Sequence, residues 1–167
     1  MNNFLDKQII YAMTGEIKIG NKDTILRSGA IGSCVVIIAY DKLSQVTAMA
    51  HIMLPGKAPD TKSLQKNRYA ENAIAELVNL FTSTGAKENN IEVCLAGGAN
   101  ILESKDTDVG QLIIISAKEY LNKKGIKIMA ESLGGTSRRS VSLNGETGDV
   151  YFTIGDEAEK LLWKFSD

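Results

Sequence analysis

The sequence is poor in the residues that announce metal or disulfide chemistry. One histidine and two cysteines occur in 167 residues, with no Cys-x-x-Cys pair. A structural zinc site therefore lacks ligands and a disulfide framework lacks partners. No metal and no organic cofactor is expected. The two prolines, Pro55 and Pro59, fall in one loop, and no repeat or tract rich in Pro, Gly or Ser marks a linker. One domain spanning residues 1–167 is the expectation. Charge of one sign is missing as well: 19 basic against 20 acidic residues leave a net charge of −1. That balance gives no footprint for nucleic acid or an anionic membrane surface. The longest unbroken apolar run, Cys34 to Tyr40, is far short of the ~18 residues of a spanning helix, so no membrane insertion is expected. Asp6 and Lys7 interrupt the apolar N-terminal stretch, which lacks the layout of a signal peptide. Free cysteines in such a chain fit a reducing cytoplasm.

What is present is enough apolar residue, 44% of the chain, to bury a core. Gln8 to Met13, Val35 to Tyr40 and Gln45 to Met53 read as strands. Leu54-Pro55-Gly56-Lys57-Ala58-Pro59 reads as a loop. Ala70, Ala73, Ile74, Leu77, Val78 and Phe81 recur at helical spacing, with Gly85 as terminator. Ile91 to Ala96 reads as a buried strand ending in Gly97-Gly98. A second amphipathic helix carries Val109, Leu112, Ile113, Ala117, Tyr120 and Leu121 and stops at Gly125. Ile126 to Ala130 is a strand, and Ser140–Leu143 with Val150–Ile154 flank Asn144-Gly145, a hairpin signal. Asp156 and Glu159 suggest a cap for a last short helix bearing Ala158, Leu161, Leu162 and Phe165. The order predicts an α+β layered sandwich of mixed sheet with two main helices and a short C-terminal helix.

Chemistry concentrates around Gly29-Ala30-Ile31-Gly32-Ser33-Cys34. A cysteine follows a Gly-rich turn at the mouth of a buried strand, where free amides could cradle an oxyanion. If Tyr40 faces Gln45 in a hairpin turning through Asp41–Ser44, paired residues sum to 85 and Cys34 faces the lone His51. Opposed side chains share one face, and a slip of one residue would separate them. A thiol beside an imidazole is an activated nucleophile, and Ser28 or Thr47 offers a hydroxyl to orient the ring, Asp41 being spent in the turn. By residue type alone, a free cysteine opening an apolar run and a histidine between Ala and Ile are more often packing residues. Cys94 is assigned to packing. Gly97-Gly98 lacks the Lys and Ser/Thr of a phosphate loop. Arg138-Arg139 reads as a solvated surface pair.

The blocks Gly32-Ser33-Cys34-Val35-Val36, Ala48-Met49-Ala50-His51-Ile52-Met53-Leu54-Pro55, Leu95-Ala96-Gly97-Gly98-Ala99-Asn100 and Leu133-Gly134-Gly135 with Arg139 resemble the CheD family. These are the chemoreceptor glutamine deamidases of bacterial and archaeal chemotaxis. The resemblance implies a cysteine hydrolase that converts glutamines on receptor cytoplasmic helices to glutamate through a thioester. By carry-over Cys34 is the nucleophile, His51 the base and acid, and Ser28 stands where the family has its catalytic threonine. Departures are Val109-Gly110-Gln111-Leu112-Ile113 in place of an Ile-Gly-x-Arg-Asn pattern, Ser132 for an aspartate and Arg138 for a glycine. The resemblance also implies docking to a CheC-type phosphatase, so a mainly regulatory binding role is the alternative. Methylester hydrolysis, a cysteine peptidase or a transglutaminase-like acyl transferase would use the same pair.

Overall fold

The computed structural model describes residues 6–60 and 62–165. Ten strands among the described residues form two five-stranded sheets. The first is ordered β1-β3-β8-β9-β10 and the second β2-β5-β4-β6-β7. The strands are β1 Gln8–Tyr11, β2 Ile17–Gly20, β3 Thr24–Arg27, β4 Val35–Asp41, β5 Val46–Ile52, β6 Glu92–Gly97, β7 Lys127–Leu133, β8 Arg139–Asn144, β9 Asp149–Ile154 and β10 Lys160–Lys164. The helices are α1 Ala70–Ser83 and α2 Val109–Lys123.

β4 and β5 are buried along their whole length and carry near-continuous apolar runs, as a strand covered on both faces requires. Alternate residues divide between two cores. Val35, Ile37 and Ala39 face α1 and α2, where Ile74, Leu77, Phe81, Ile113 and Leu121 are buried. Val36, Ile38 and Tyr40 face the first sheet, against Leu26, Val141, Leu143 and Val150. The layers are helices, second sheet, first sheet, an α+β sandwich as expected. Both sheets are mixed, because β1 pairs with β3 and β6 with β7 in parallel.

Two expectations are corrected. The C-terminal segment is strand β10, not a helix. It pairs antiparallel with β9 through a bulge between Leu161 and Trp163. The bulge lets Leu162 and Trp163 both pack on the core, and Phe165 stacks on Tyr40 at 5.4 Å. That consecutive burial imitates helical spacing. Asp156 caps nothing and pairs instead with Arg138 at 2.7 Å. Second, the β4–β5 hairpin is displaced: Asp41 pairs with Val46 and Val36 with His51, so paired numbers sum to 87. Asp41 extends β4 because its carboxylate organises the turn, accepting from Leu43 N at 3.0 Å and Ser44 Oγ at 2.8 Å. Gln45 completes the turn at φ +53.

Candidate active site

Cys34 immediately precedes β4 and is half-buried; His51 is the penultimate residue of β5 and buried. The corrected register moves Cys34 from directly opposite His51 to the diagonal position, since His51 faces Val36. A shift of two preserves parity. His51 lies on the same face of β5 as Met49, between the two sheets, and Cys34 leads into β4 two residues before Val36 on that face. Diagonal Cβ atoms lie roughly 7–8 Å apart, within reach of an imidazole directed along the strand. No hydrogen bond joins the two side chains in the structure.

The backbone around each residue is fixed from outside its own strand. Gly98 N donates to Cys34 O at 2.8 Å and Ala99 N to Gly32 O at 3.0 Å. Gly97, at φ +110, lies so close beneath Cys34 that a Cβ there would meet the Cys34 carbonyl at 2.2 Å. The glycine pair that fails as a phosphate loop is thus the floor under the cysteine, a role that its position after an apolar strand did not disclose. Upstream, Ile31 and Arg139 exchange backbone bonds at 2.8 and 2.9 Å. Among the described residues, the amides of Gly32, Ser33 and Cys34 donate to no other residue. The Cys34 amide favours its own thiolate, against the burial that disfavours it more strongly.

His51 is held by the turn after β1. Its Nδ1 lies 2.9 Å from Ala12 O, and since a carbonyl only accepts, Nδ1 carries the proton. Nε2 is left as the base. Ala12 is itself anchored by donating to Arg27 O at 2.8 Å, while His51 N donates to Glu16 O and His51 O accepts from Gly15 N. Burial lowers the His51 pKa below 6.5, opposed by the Ala12 bond and the Glu16 charge. Burial raises the Cys34 pKa, offset in part by its own amide. Near neutrality the resting pair is therefore a thiol and an imidazole, not an ion pair.

The hydroxyl candidates are placed elsewhere. Ser28 is buried, and its Oγ donates to Gly29 O at 2.7 Å and accepts from Val141 N at 3.0 Å, with no bond to His51. Thr47 is four residues along β5 from His51, about 13 Å at strand rise. The ring is oriented by a main-chain carbonyl, which no side-chain pattern could signal. Arg139, read as a surface residue, is only 7% exposed. Its place two residues before Val141 and four before Leu143 carried that signal: period two puts it on the inner face. Cys94 is fully buried in the core with its thiol pushed up to about 12, in keeping with packing. Among the described residues no three His, Cys, Asp or Glu side chains converge as a metal site would need, and no helix is long and apolar enough to cross a membrane.

Fold and site together define a two-sheet sandwich, covered by helices on one side, with a thiol and an oriented imidazole at one end of the intersheet core. The model of the CheD family, described as CheD chemotactic sensory transduction, matches residues 53–153. The chain is 37% identical over 136 residues to the chemoreceptor glutamine deamidase CheD of Thermotoga maritima, covering 81% of this chain and 85% of that protein. It is 30% identical over 162 residues to the chemoreceptor glutamine deamidase CheD of Halalkalibacterium halodurans, covering 90% of this chain and 100% of that one. The chain belongs to the CheD family.

Proposed function

We propose that this chain, acting as one domain in the cytoplasm, hydrolyses the side-chain carboxamide of glutamines on chemoreceptor cytoplasmic helices to the carboxylate. The names of its relatives supply the substrate. The observation that carries the chemistry is the Ala12 O bond, which leaves His51 Nε2 as acceptor on the face that Cys34 leads into. Nε2 takes the proton from Cys34 Sγ as sulfur attacks the carboxamide carbon. The amides of Gly32, Ser33 and Cys34, which donate to no other residue, receive the oxyanion. The imidazolium returns its proton to the departing nitrogen, the C–N bond breaks, and ammonia leaves a γ-glutamyl thioester. Water then gives a proton to Nε2 and attacks the thioester carbon; the C–S bond breaks, and the thiol is restored as glutamate departs. In this reading Ala12 O does the orienting, and Ser28 holds the loop that leads to Cys34 by tying Gly29 to Val141.

The test is incubation of purified protein with a receptor cytoplasmic fragment, followed by mass spectrometry for NH2-to-OH exchange at glutamines. Conversion by wild type, lost in Cys34→Ala and His51→Ala, is expected. Conversion that persists in Cys34→Ala refutes the assignment.

A docking role towards a CheC-type phosphatase has its own support. Ile101, Leu102, Val109, Leu112 and Ile115 are exposed apolar residues, and several of them flank a groove of about 150 Å³ that reaches Ser33. Such a patch beside a site suits a protein partner. Phosphatase binding by a wild-type protein that leaves receptor glutamines unchanged would favour this reading.

A further inference from the structure

Arg139 is the one buried cation at this end of the sandwich, and none of the ion pairs among the described residues includes it. Burying a guanidinium without a carboxylate carries a large desolvation penalty that hydrogen bonds must offset. Its bonds go to a particular set of oxygens. Nε donates to Ser132 Oγ at 2.9 Å, and Nη1 donates to Gly134 O at 2.7 Å and Ser137 O at 3.3 Å. Arg139 belongs to β8 in the first sheet and Ser132 to β7 in the second, so the side chain bridges the two sheets.

What it grips leads to the cysteine along two routes. By side chain it fixes Gly134, whose amide donates to Gly97 O at 2.9 Å, and Gly97 is the floor beneath the Cys34 carbonyl. Asn100 N closes the same loop by donating to Gly135 O at 2.8 Å. By main chain Arg139 holds Ile31, three residues before Cys34 and next to the unused amides. Resting on the hydrolase reading above, we propose that Arg139 is a positioning residue: its guanidinium clamps the Gly134–Ser137 turn to β8 and thereby sets Cys34 and the Gly32–Cys34 amides for oxyanion formation. Bonds to three oxygens in different directions use the planar fork of arginine, which a lysine ammonium does not reproduce.

The test compares Arg139→Ala and Arg139→Lys with Arg138→Gln, which removes the neighbouring exposed pair. A misplacement of about 1 Å costs on the order of 10²-fold in rate. The expected result is therefore a kcat loss of that order in Arg139→Ala, at a KM close to wild type, in protein shown to be folded. Arg139→Lys recovers only part, methylguanidinium added to Arg139→Ala restores part of kcat, and Arg138→Gln behaves as wild type. A kcat that falls only with the folded fraction, a loss shared equally by KM, or full recovery in Arg139→Lys overturns the proposal. Two further readouts need no deamidation: the rate of Cys34 alkylation by iodoacetamide and hydrogen exchange of the Ser33 and Cys34 amides. If wild type fails to deamidate, the hydrolase reading falls. A change of both readouts in Arg139→Ala, reversed by methylguanidinium, still supports the clamp, and unchanged readouts refute it.

Discussion

Replacing Gly97 by alanine tests whether the floor beneath Cys34 matters to both stability and reaction. At φ +110 an L-residue lies outside its favoured wells, at a cost of about 1–3 kcal/mol. The added Cβ would sit 2.2 Å from Cys34 O and 3.2 Å from Ile31 Cδ1. Carbon and carbonyl oxygen settle at about 3.3 Å or more, so the two strands must part by roughly 1 Å at this point. That separation also breaks the 2.8 Å bond from Gly98 N to Cys34 O, a buried backbone bond worth on the order of 1 kcal/mol net. The sum is a destabilisation of about 2–4 kcal/mol, with a loss near 10²-fold in kcat if Cys34 moves by the same amount. Gly125→Ala is the control. Its φ is +72 and nothing lies within 4 Å of its Cβ, so it incurs left-handed strain alone, about 1 kcal/mol. Urea unfolding measures the first quantity and receptor deamidation the second. If Gly97→Ala is no less stable than Gly125→Ala and deamidates at the wild-type rate, the close approach has no functional meaning.

The remaining predictions concern the imidazole and the serine. Since His51 must be neutral to accept the thiol proton, kcat/KM falls as pH drops through its pKa, which burial holds below 6.5 against the Ala12 bond and the Glu16 charge; a profile with its acid limb centred at or above that value refutes the argument that burial dominates at His51. The same depression makes the unfolded chain bind more protons than the folded one below pH 6.5, so stability declines with falling pH there, and His51→Gln removes that part of the slope in urea melts. Ser28→Ala leaves Val141 N without its buried acceptor, a loss of about 1–3 kcal/mol. Its acid limb in kcat/KM stays where wild type has it, because Ala12 holds the ring; a displaced limb would put Ser28 on the imidazole.

The parts of the fold that sequence periodicity disclosed are those where one face decides burial. α1 and α2 carry wide apolar stripes and end at glycines in the left-handed region, Gly85 at φ +96 and Gly125 at φ +72. β4 and β6 are buried on both faces and read as continuous apolar runs. β2 and β3 went unread. Each has four residues, and their pairing with β5 and β8 comes from chain segments far away in sequence, which no local pattern contains. β10 misled because its bulge buries neighbouring side chains and erases the period of two.

The candidate site was legible in kind and not in detail, and the reason is the arithmetic of strands. Face is a matter of parity, whereas contact is a matter of register. The hairpin slipped by two because Asp41 stayed in the ladder while its carboxylate held the turn, an outcome decided by two hydrogen bonds and not by hydropathy. An even slip kept His51 on the intersheet face and converted a directly opposed pair into a diagonal one. The diagonal arrangement suits the proposed reaction. An imidazole pressed against the thiol at rest would favour a standing ion pair, whereas burial favours the neutral state of both groups. With the partners offset, proton transfer is left to the moment when a carboxamide seats over the sulfur and the unused amides. That order of events makes reactivity depend on bound substrate, and it predicts that Cys34 in the free protein alkylates no faster than an ordinary half-buried thiol.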